Sequence, residues 1–312
     1  MVIPKPLLEE IKRRSRPADF AAPLAPVVEH LSSRYSGTRA VLFYGSCLER
    51  RNVYDGLVDL YVLVEDYRRA YRSRLLAVAN RLLPPNVFYL AADAPRGPIR
   101  VKYAVMELDH FLRATSPRWF HSYFWGRFSQ PSVILAADDE ARPLVERALG
   151  QAVCTFLTRV VPVVPEEGTV KTLWQQGLRL SYQAELRPES SARLERLWLS
   201  AADYFQAVTR AAAEALPFPF APTGDRYHAR VPEAVRRRER RRWRLRRLQG
   251  KGLSVLRLMK AAFTFQGGVD YALWKIERHR GLRLEVSPFF RRHPFLALLF
   301  VGWKALRAGG VR

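Results

Sequence analysis

Apolar and polar positions change period several times along the chain. Residues 5–17 and 24–34 place apolar side chains at helical spacing between basic ones, with Pro17, Pro23 and Pro26 interrupting the pattern. Arg39–Gly45 (RAVLFYG) is an apolar, β-rich run that ends in Gly-Ser, which predicts a buried strand followed by a turn. Leu57–Val64 (LVDLYVLV) is a second such run and carries one acid, Asp59. Residues 67–83 return to helical spacing and stop at Pro84 and Pro85, and Val87–Ala91 and Ile99–Leu108 read as two further strands. Helix, strand, strand, helix, strand, strand is an α/β or α+β order, with helices packed on a small mixed sheet.

From Ser129 onward helical spacing dominates. Glu140–Leu157 and Val170–Arg187 are predicted helices separated by a proline-bearing loop, and Ser191–Leu216 is a third, rich in Ala and Leu. Pro217–Pro222 reads as a loop. Arg236–Arg247 then packs nine arginines around a single glutamate, and Leu253–Phe265 and Gly268–His279 follow. The expected organisation is a sheet-containing domain over residues 1–135, a helical domain over 136–230, and a basic segment with an apolar tail over 231–312.

Composition narrows the partners. The 312 residues include 52 Lys+Arg against 29 Asp+Glu, a formal charge of +23, while 48% of positions are hydrophobic. That apolar share belongs to a folded chain rather than a disordered one. The charge calls for an anionic partner: nucleic acid, an anionic membrane surface or a polyphosphate. Two cysteines, Cys47 and Cys154, exclude a disulfide scaffold and a multi-cysteine zinc module, so reduced thiols in an intracellular protein are expected. Residues 1–30 have no continuous apolar stretch of the secretory kind, and no run reaches the roughly 18 residues of a spanning helix.

The candidate chemistry begins at Tyr44-Gly45-Ser46. A strand that delivers Gly-Ser into a helix start presents backbone N–H groups and a hydroxyl to phosphate oxygens, although the same dipeptide also makes ordinary turns. Asp59 adds weight, because a carboxylate inside an apolar strand is costly unless it is paired or bound to metal. A Gly-Ser turn beside an acid-bearing strand is the metal-and-triphosphate arrangement of nucleotidyltransferases. Asp55, four residues earlier, is either a second metal ligand on the same strand face or a turn residue before Gly56. The usual pattern has a second acid two residues on, where this chain has Tyr61. Lys102 sits within a later strand and either meets a polyphosphate or points to water at a sheet edge. Arg127, after the aromatic cluster Tyr123–Trp125, either grips a phosphate with its guanidinium or follows a helix cap at the surface. No P-loop, dinucleotide-binding or nucleophile-elbow motif occurs, and the six histidines show no H-x-x-x-H spacing.

Taken in order, YGS (44–46), VDLYVLV (58–64), VFY (87–89), KYAV (102–105), YFWGRFSQP (123–131) and LSYQAELR (180–187) resemble the phosphatidate cytidylyltransferases of the mitochondrial translocator-assembly-and-maintenance type. The similarity covers about residues 35–190 and recurs more loosely at Leu256–Gly268. It implies an α+β fold: a polymerase-β-like nucleotidyltransferase domain with a small mixed sheet, a helical domain, and a C-terminal membrane-binding tail. It implies transfer of CMP from CTP to phosphatidic acid with Mg²⁺, giving CDP-diacylglycerol and pyrophosphate. By that resemblance Tyr44, Gly45 and Ser46 hold the CTP phosphates, Asp59 binds Mg²⁺, and Lys102 and Tyr103 form a pair near the nucleotide. Tyr123, Gly126, Arg127 and Pro131 match the segment that follows, and Ser181 and Tyr182 match a Leu-Ser-Tyr motif. With one acid on the second strand typical of that family, Tyr61 is no longer an exception. Cys47, Ala104 and Gln130 depart from the family's Gly, Gly and Lys.

The implied enzyme is a cytoplasmic, peripheral one that works on an anionic membrane surface. Pro288–Arg307 mixes Phe, Leu and Trp with Arg and Lys as an interfacial helix does, and the arginine run would add attraction to anionic lipid. The alternative has the tail packing on the helical domain. Three rival readings stand beside this one. They are the same chemistry on another phosphorylated acceptor, a basic nucleic-acid binder, which the absence of a recognition motif and the aromatic tail disfavour, and a catalytically inactive binding protein.

Overall fold

A computed structural model describes residues 2–94, 96–185 and 190–264. The expected tail at 288–307, the segment 268–279 and the end of the expected helix at Arg187 lie outside them.

The chain opens with helix α1 (Lys5–Arg14), a 3₁₀ turn at Ala18–Phe20, and α2 (Ala21–Arg34). Pro26 lies within α2 and does not break it; Pro23 falls in the first turn, where its missing N–H costs no helical bond. Strand β1 (Thr38–Tyr44) leads through the short α3 (Ser46–Glu49) to β2 (Val58–Val64). The expected helix over 67–83 is two pieces, α4 (Tyr67–Ala70) and α5 (Arg74–Leu82). Each has its own cap: the Asp66 carboxylate accepts from the N–H groups of Arg68 and Arg69, and the Ser73 hydroxyl from that of Leu76. Then come β3 (Asn86–Ala92), β4 (Ile99–Glu107), α6 (Leu108–Thr115), α7 (Trp125–Phe128) and β5 (Ser132–Ala137).

These five strands form one mixed sheet in the order β3-β4-β2-β1-β5, with β2 and β4 parallel and the remaining pairs antiparallel. The α+β class therefore holds. β5 runs across residue 135 and supplies an edge of the sheet. Its short apolar run, VILAA, carries no alternation that would separate a strand from a piece of helix.

The second half consists of α8 (Ala141–Val160), β6 (Glu167–Thr169), α9 (Val170–Tyr182), α10 (Ser191–Ala211), β7 (Phe220–Thr223), β8 (Arg226–Ala229) and α11 (Glu233–Thr264). β6, β8 and β7 make a small antiparallel sheet where only loops were expected. Strands of three or four residues are too short to leave a period in the sequence.

The sheet has two apolar faces with separate cores. Val41, Phe43, Leu60, Val62, Tyr103 and Val105 pack against α2, α4 and α5. Leu42, Tyr61, Leu63, Ala104 and Met106 face α6–α9 and share one core with Leu7 and Ile11 of α1. α8 is apolar nearly all round because it lies inside this second core. The Phe156 ring stacks on Trp174 of α9 with centroids 4.5 Å apart.

The arginine run is one face of a long helix rather than a solvated tract. At a period of 3.6, Arg236, Glu239, Trp243, Arg246 and Gly250 turn inward and are buried, while Arg237, Arg238, Arg240, Arg241 and Arg244 point out. Glu239 and Arg246 are each 1% exposed. Glu239 takes Arg159 and Arg242 at 2.9 Å and Arg246 at 3.2 Å. The Arg246 Nε–H donates to the Phe120 carbonyl at 2.9 Å, and its guanidinium lies against the rings of Phe120 and Trp243. Part of the run therefore holds α11 onto the body, and only its outward arginines remain for an anionic partner.

Burial raises the Glu239 carboxyl, but the Arg159 and Arg246 guanidiniums outweigh burial and hold it below the usual range. Its stabilising contribution is therefore complete above an unfolded pKa of about 4.3 and fades as pH falls through the lower folded value. Glu239→Ala strands a buried guanidinium and is expected to cost about 3–5 kcal/mol in denaturant unfolding at pH 7, with a smaller loss at pH 3. A cost under 1 kcal/mol at pH 7 would show that the network contributes little.

Candidate functional site

The sheet pairing builds the site. Tyr44 on β1 pairs with Asp59 on β2, Asp59 with Lys102 on β4, Lys102 with Tyr89 on β3, and Tyr44 with Ser132 on β5. Directly paired residues share a face, so these five form a row across the sheet. The row lies at the end of β1, where the chain turns through Gly45 and Ser46 into α3.

Gly45 has φ +86°. A Cβ there would stand 2.8 Å from Asp59 Oδ2. Glycine is thus required both by its backbone angle and by the approach to the carboxylate. The Lys102 ammonium meets the buried Asp59 Oδ1 at 2.7 Å, so that oxygen has an ionic partner. The Asp59 carboxylate raises the Lys102 amine above its ordinary value, against the opposing effect of burial. Burial, then the nearby Asp59 charge, raises the Tyr44 phenol.

Above this row opens a cleft of about 740 Å³, lined by Tyr44, Gly45, Ser46, Asp59, Lys102 and Arg127 among others. Its walls hold seven Lys and Arg side chains against three carboxylates, so its field favours an anion. Arg127 is held in place: its Nη1 donates to the Tyr44 hydroxyl at 3.4 Å and the Tyr123 hydroxyl at 3.3 Å, and Nη2 reaches Glu185 at 3.4 Å. Its guanidinium lies over the Tyr123 ring, 4.4 Å from the centroid.

The motifs read separately in the sequence meet here. A Cβ on Gly126 would stand 2.3 Å from Ser181 Oγ, so α7 and α9 approach only because residue 126 is glycine. The Tyr182 hydroxyl donates to Gln130 Oε1 at 3.0 Å, and Gln130 Nε2 donates to the Gly126 carbonyl at 2.9 Å. Arg257 of α11 covers the Tyr123 ring at 4.3 Å.

Two expected site residues are placed elsewhere. Tyr103 follows Lys102 in an extended strand and so turns to the other face, where its hydroxyl meets that of Tyr35 at 3.2 Å beside Phe88. Asp55 precedes the first residue of β2 and is exposed in the loop, so the same-face spacing assumed for a strand does not apply to it. It does not line the cleft.

Several lining residues escaped the sequence reading. Arg13, Arg14 and Arg16 come from the end of α1, and Arg193 of α10 pairs with Glu49 at 2.8 Å. Arg14 pairs with Asp203 at 2.5 Å. Charges on amphipathic helices look like ordinary solvated faces, and only the packing of α1 on α10 turns them toward the cleft.

The donor set suits one kind of metal site. Among the described residues no three His, Cys, Asp or Glu side chains gather to hold an ion by themselves. Asp59 Oδ1 is engaged by the Lys102 ammonium, while Oδ2 lies beside the space that Gly45 leaves open. That fits a magnesium ion held by one carboxylate and completed by phosphate and water oxygens. No family model matches the chain, and no curated protein matches it either.

Replacing Asp59 by Asn removes the charge that raises Lys102 and leaves burial in command. The Lys102 amine is then expected to titrate below an ordinary lysine, read from the ε-carbon signal in an NMR titration. A titration that stays where it is in the wild-type protein would show that the pair is not coupled.

Proposed function

We propose that this protein is a magnesium-dependent nucleotidyltransferase, with CTP as donor and phosphatidic acid as acceptor. The observation that carries the reading is the cross-strand pair Asp59–Lys102, set beside the Gly45-Ser46 turn at the floor of a cationic cleft. The choice of CTP and phosphatidic acid rests on the sequence resemblance, and so does placement at the cytoplasmic face of a membrane. No helix among the described residues is long and apolar enough to cross one.

In this reading an oxygen of the acceptor phosphate attacks the α-phosphorus of the nucleotide. The new P–O bond forms as the bond to pyrophosphate breaks, and pyrophosphate leaves with the electron pair. Asp59 would hold the metal, which would supply neutralisation of phosphate charge. Lys102 is kept protonated by Asp59, so it stays cationic when phosphate oxygens draw near. Arg127 is oriented by Tyr44, Tyr123 and Glu185 and offers a fixed guanidinium to the developing charge. An acceptor phosphate is already an anion and calls for no strong base, in keeping with a cleft lined by no histidine among its described residues.

A second reading, the same chemistry on a different phosphorylated acceptor, is favoured by Gln130. Its amide engages Gly126 and Tyr182 and brings no cation to a position where the resembled family has lysine.

The test is incubation with radiolabelled CTP, Mg²⁺ and phosphatidic acid vesicles, followed by lipid extraction. The wild-type chain is expected to move label into lipid, and Asp59→Ala to lower the rate by about three orders of magnitude while the circular dichroism stays unchanged. Wild-type turnover in that variant would remove the metal assignment. Pyrophosphate release with other acceptors but not with phosphatidic acid would establish the second reading.

A further inference from the structure

Thirteen large apolar side chains are exposed among the described residues, and nine of them belong to just two helices, α5 and α11. On α5, Leu75, Val78 and Leu82 recur at i, i+3 and i+7 and make one outward stripe, with Leu75 74% and Leu82 78% exposed. On α11 the outward face changes character along its length. Arg237, Arg241 and Arg244 occupy its first half, and Leu248, Val255, Leu256, Leu258 and Met259 the second.

α11 reaches the segment that follows α5. Arg257 Nε–H donates to the Pro84 carbonyl at 3.0 Å, and the Lys260 ammonium donates to the carbonyls of Leu83 and of Pro85, the latter at 2.8 Å. Residues 83–85 directly follow α5, so its apolar stripe ends beside the apolar half of α11.

Cations predominate around this patch, although Arg81 of α5 is paired with Glu107 at 3.0 Å and Asp66 at 3.5 Å. Residues 67–92 carry five arginines and no acid, and residues 240–264 carry only Arg and Lys as charged groups. A second copy of the chain would bring like charge against like. The chain's own residues 265–312 carry nine Lys and Arg against three acids and are also cationic. An apolar surface flanked by arginines is complementary to a medium that is apolar below and anionic at its surface.

We propose that the outer faces of α5 and α11 together dock on the interface of a bilayer containing anionic lipid. The apolar side chains enter the headgroup–acyl boundary, and the arginines of the first half of α11 lie over the lipid phosphates. This contact is made by the folded body itself, and it holds whether or not the cleft transfers a nucleotide.

The test is co-flotation of the full chain with vesicles of phosphatidylcholine alone or mixed with phosphatidylglycerol, a lipid that is not the proposed acceptor. The wild-type chain is expected to float with the mixed vesicles, and less so as salt rises. The combined substitutions Leu75→Ser, Val78→Ser and Leu82→Ser are expected to lower the partition coefficient at least about tenfold with the thermal melt unchanged. Leu256→Ser with Met259→Ser is expected to do the same from the other helix. Arg237→Glu, Arg241→Glu and Arg244→Glu together are expected to abolish the preference for anionic vesicles. Wild-type flotation in both apolar variants would overturn the proposal and assign any membrane binding to another part of the chain. So would a dimer by light scattering that these substitutions dissociate, which would make a second copy the occupant. Vesicle binding with no nucleotide transfer leaves this surface standing and removes only the enzymatic reading.

Discussion

A carboxylate in the middle of an apolar sheet dictates the arrangement around it. Asp59 is tolerated because Lys102 occupies the same level of the neighbouring parallel strand and meets it at 2.7 Å. That pairing also pins the register. A slip of one residue along β2 would turn Asp59 into the core that holds Leu60, Val62 and Tyr103, and would bring Leu60 to the cleft. The same constraint reaches β1, since Tyr44 pairs with Asp59 and the turn that follows must be glycine to clear the carboxylate. An ion pair, a strand register and a backbone angle are thus one structural fact seen from three sides.

α11 extends that fact to the far end of the described chain. Its inner face is an ionic ladder in which Glu239 gathers three guanidiniums, and beyond Gly250 it carries Arg257 and Lys260 across to residues 83–85. Gly250 is required by proximity: a Cβ there would stand 2.4 Å from the Ala184 carbonyl oxygen. Arg257 rests on the Tyr123 ring, Tyr123 supports Arg127, and Arg127 meets the Tyr44 hydroxyl. Burial, with Arg257 adding to it, brings the Lys260 amine down to about 7, although its hydrogen bonds to main-chain carbonyls are those of an ammonium donor. α11 is therefore connected to the cleft through Tyr123 and Arg127.

What the sequence made legible follows from periodicity and from cost. β1, β2 and β4 are plain because buried central strands are continuous apolar runs, and β3, at the sheet's edge, because prolines bound its apolar run; Asp59 and Lys102 stand out because charge interrupts those runs. Their adjacency was not written in the sequence, since it arises from the parallel pairing of β2 with β4. Tyr103 was misplaced for a simple reason: neighbours in a strand face opposite ways, so a Lys-Tyr dipeptide cannot put both side chains into one cleft. Asp55 was misplaced because β2 starts only at Val58, which leaves position 55 in a loop with no alternation to obey. β5 through β8 were missed where runs are too short for a period to show. A dense charge tract hides its helical phase: Glu239 holds the buried Arg246, and Glu166 with the carbonyls of Pro162 and Val164 holds the buried Arg236.

The net charge of +23 takes on meaning only once it is located. Much of it is neutralised within the molecule, as in the pairs Arg39–Asp138, Arg193–Glu49 and Arg159–Glu239. Among the described residues, two places where cations gather are the cleft and the outer face of α11. These differ in what surrounds the cations. In the cleft they stand among tyrosine and serine hydroxyls and three carboxylates, a polar setting that suits a compact polyanion. On α11 they adjoin leucines and a methionine, a setting that suits anionic groups fixed to an apolar phase. An acceptor that is itself a lipid phosphate would satisfy both demands, because its headgroup belongs to the first setting and its chains to the second. Two cationic surfaces of different polarity are thus joined through Arg257, Tyr123 and Arg127, so a change in the packing of α11 is felt at the guanidinium that lines the cleft.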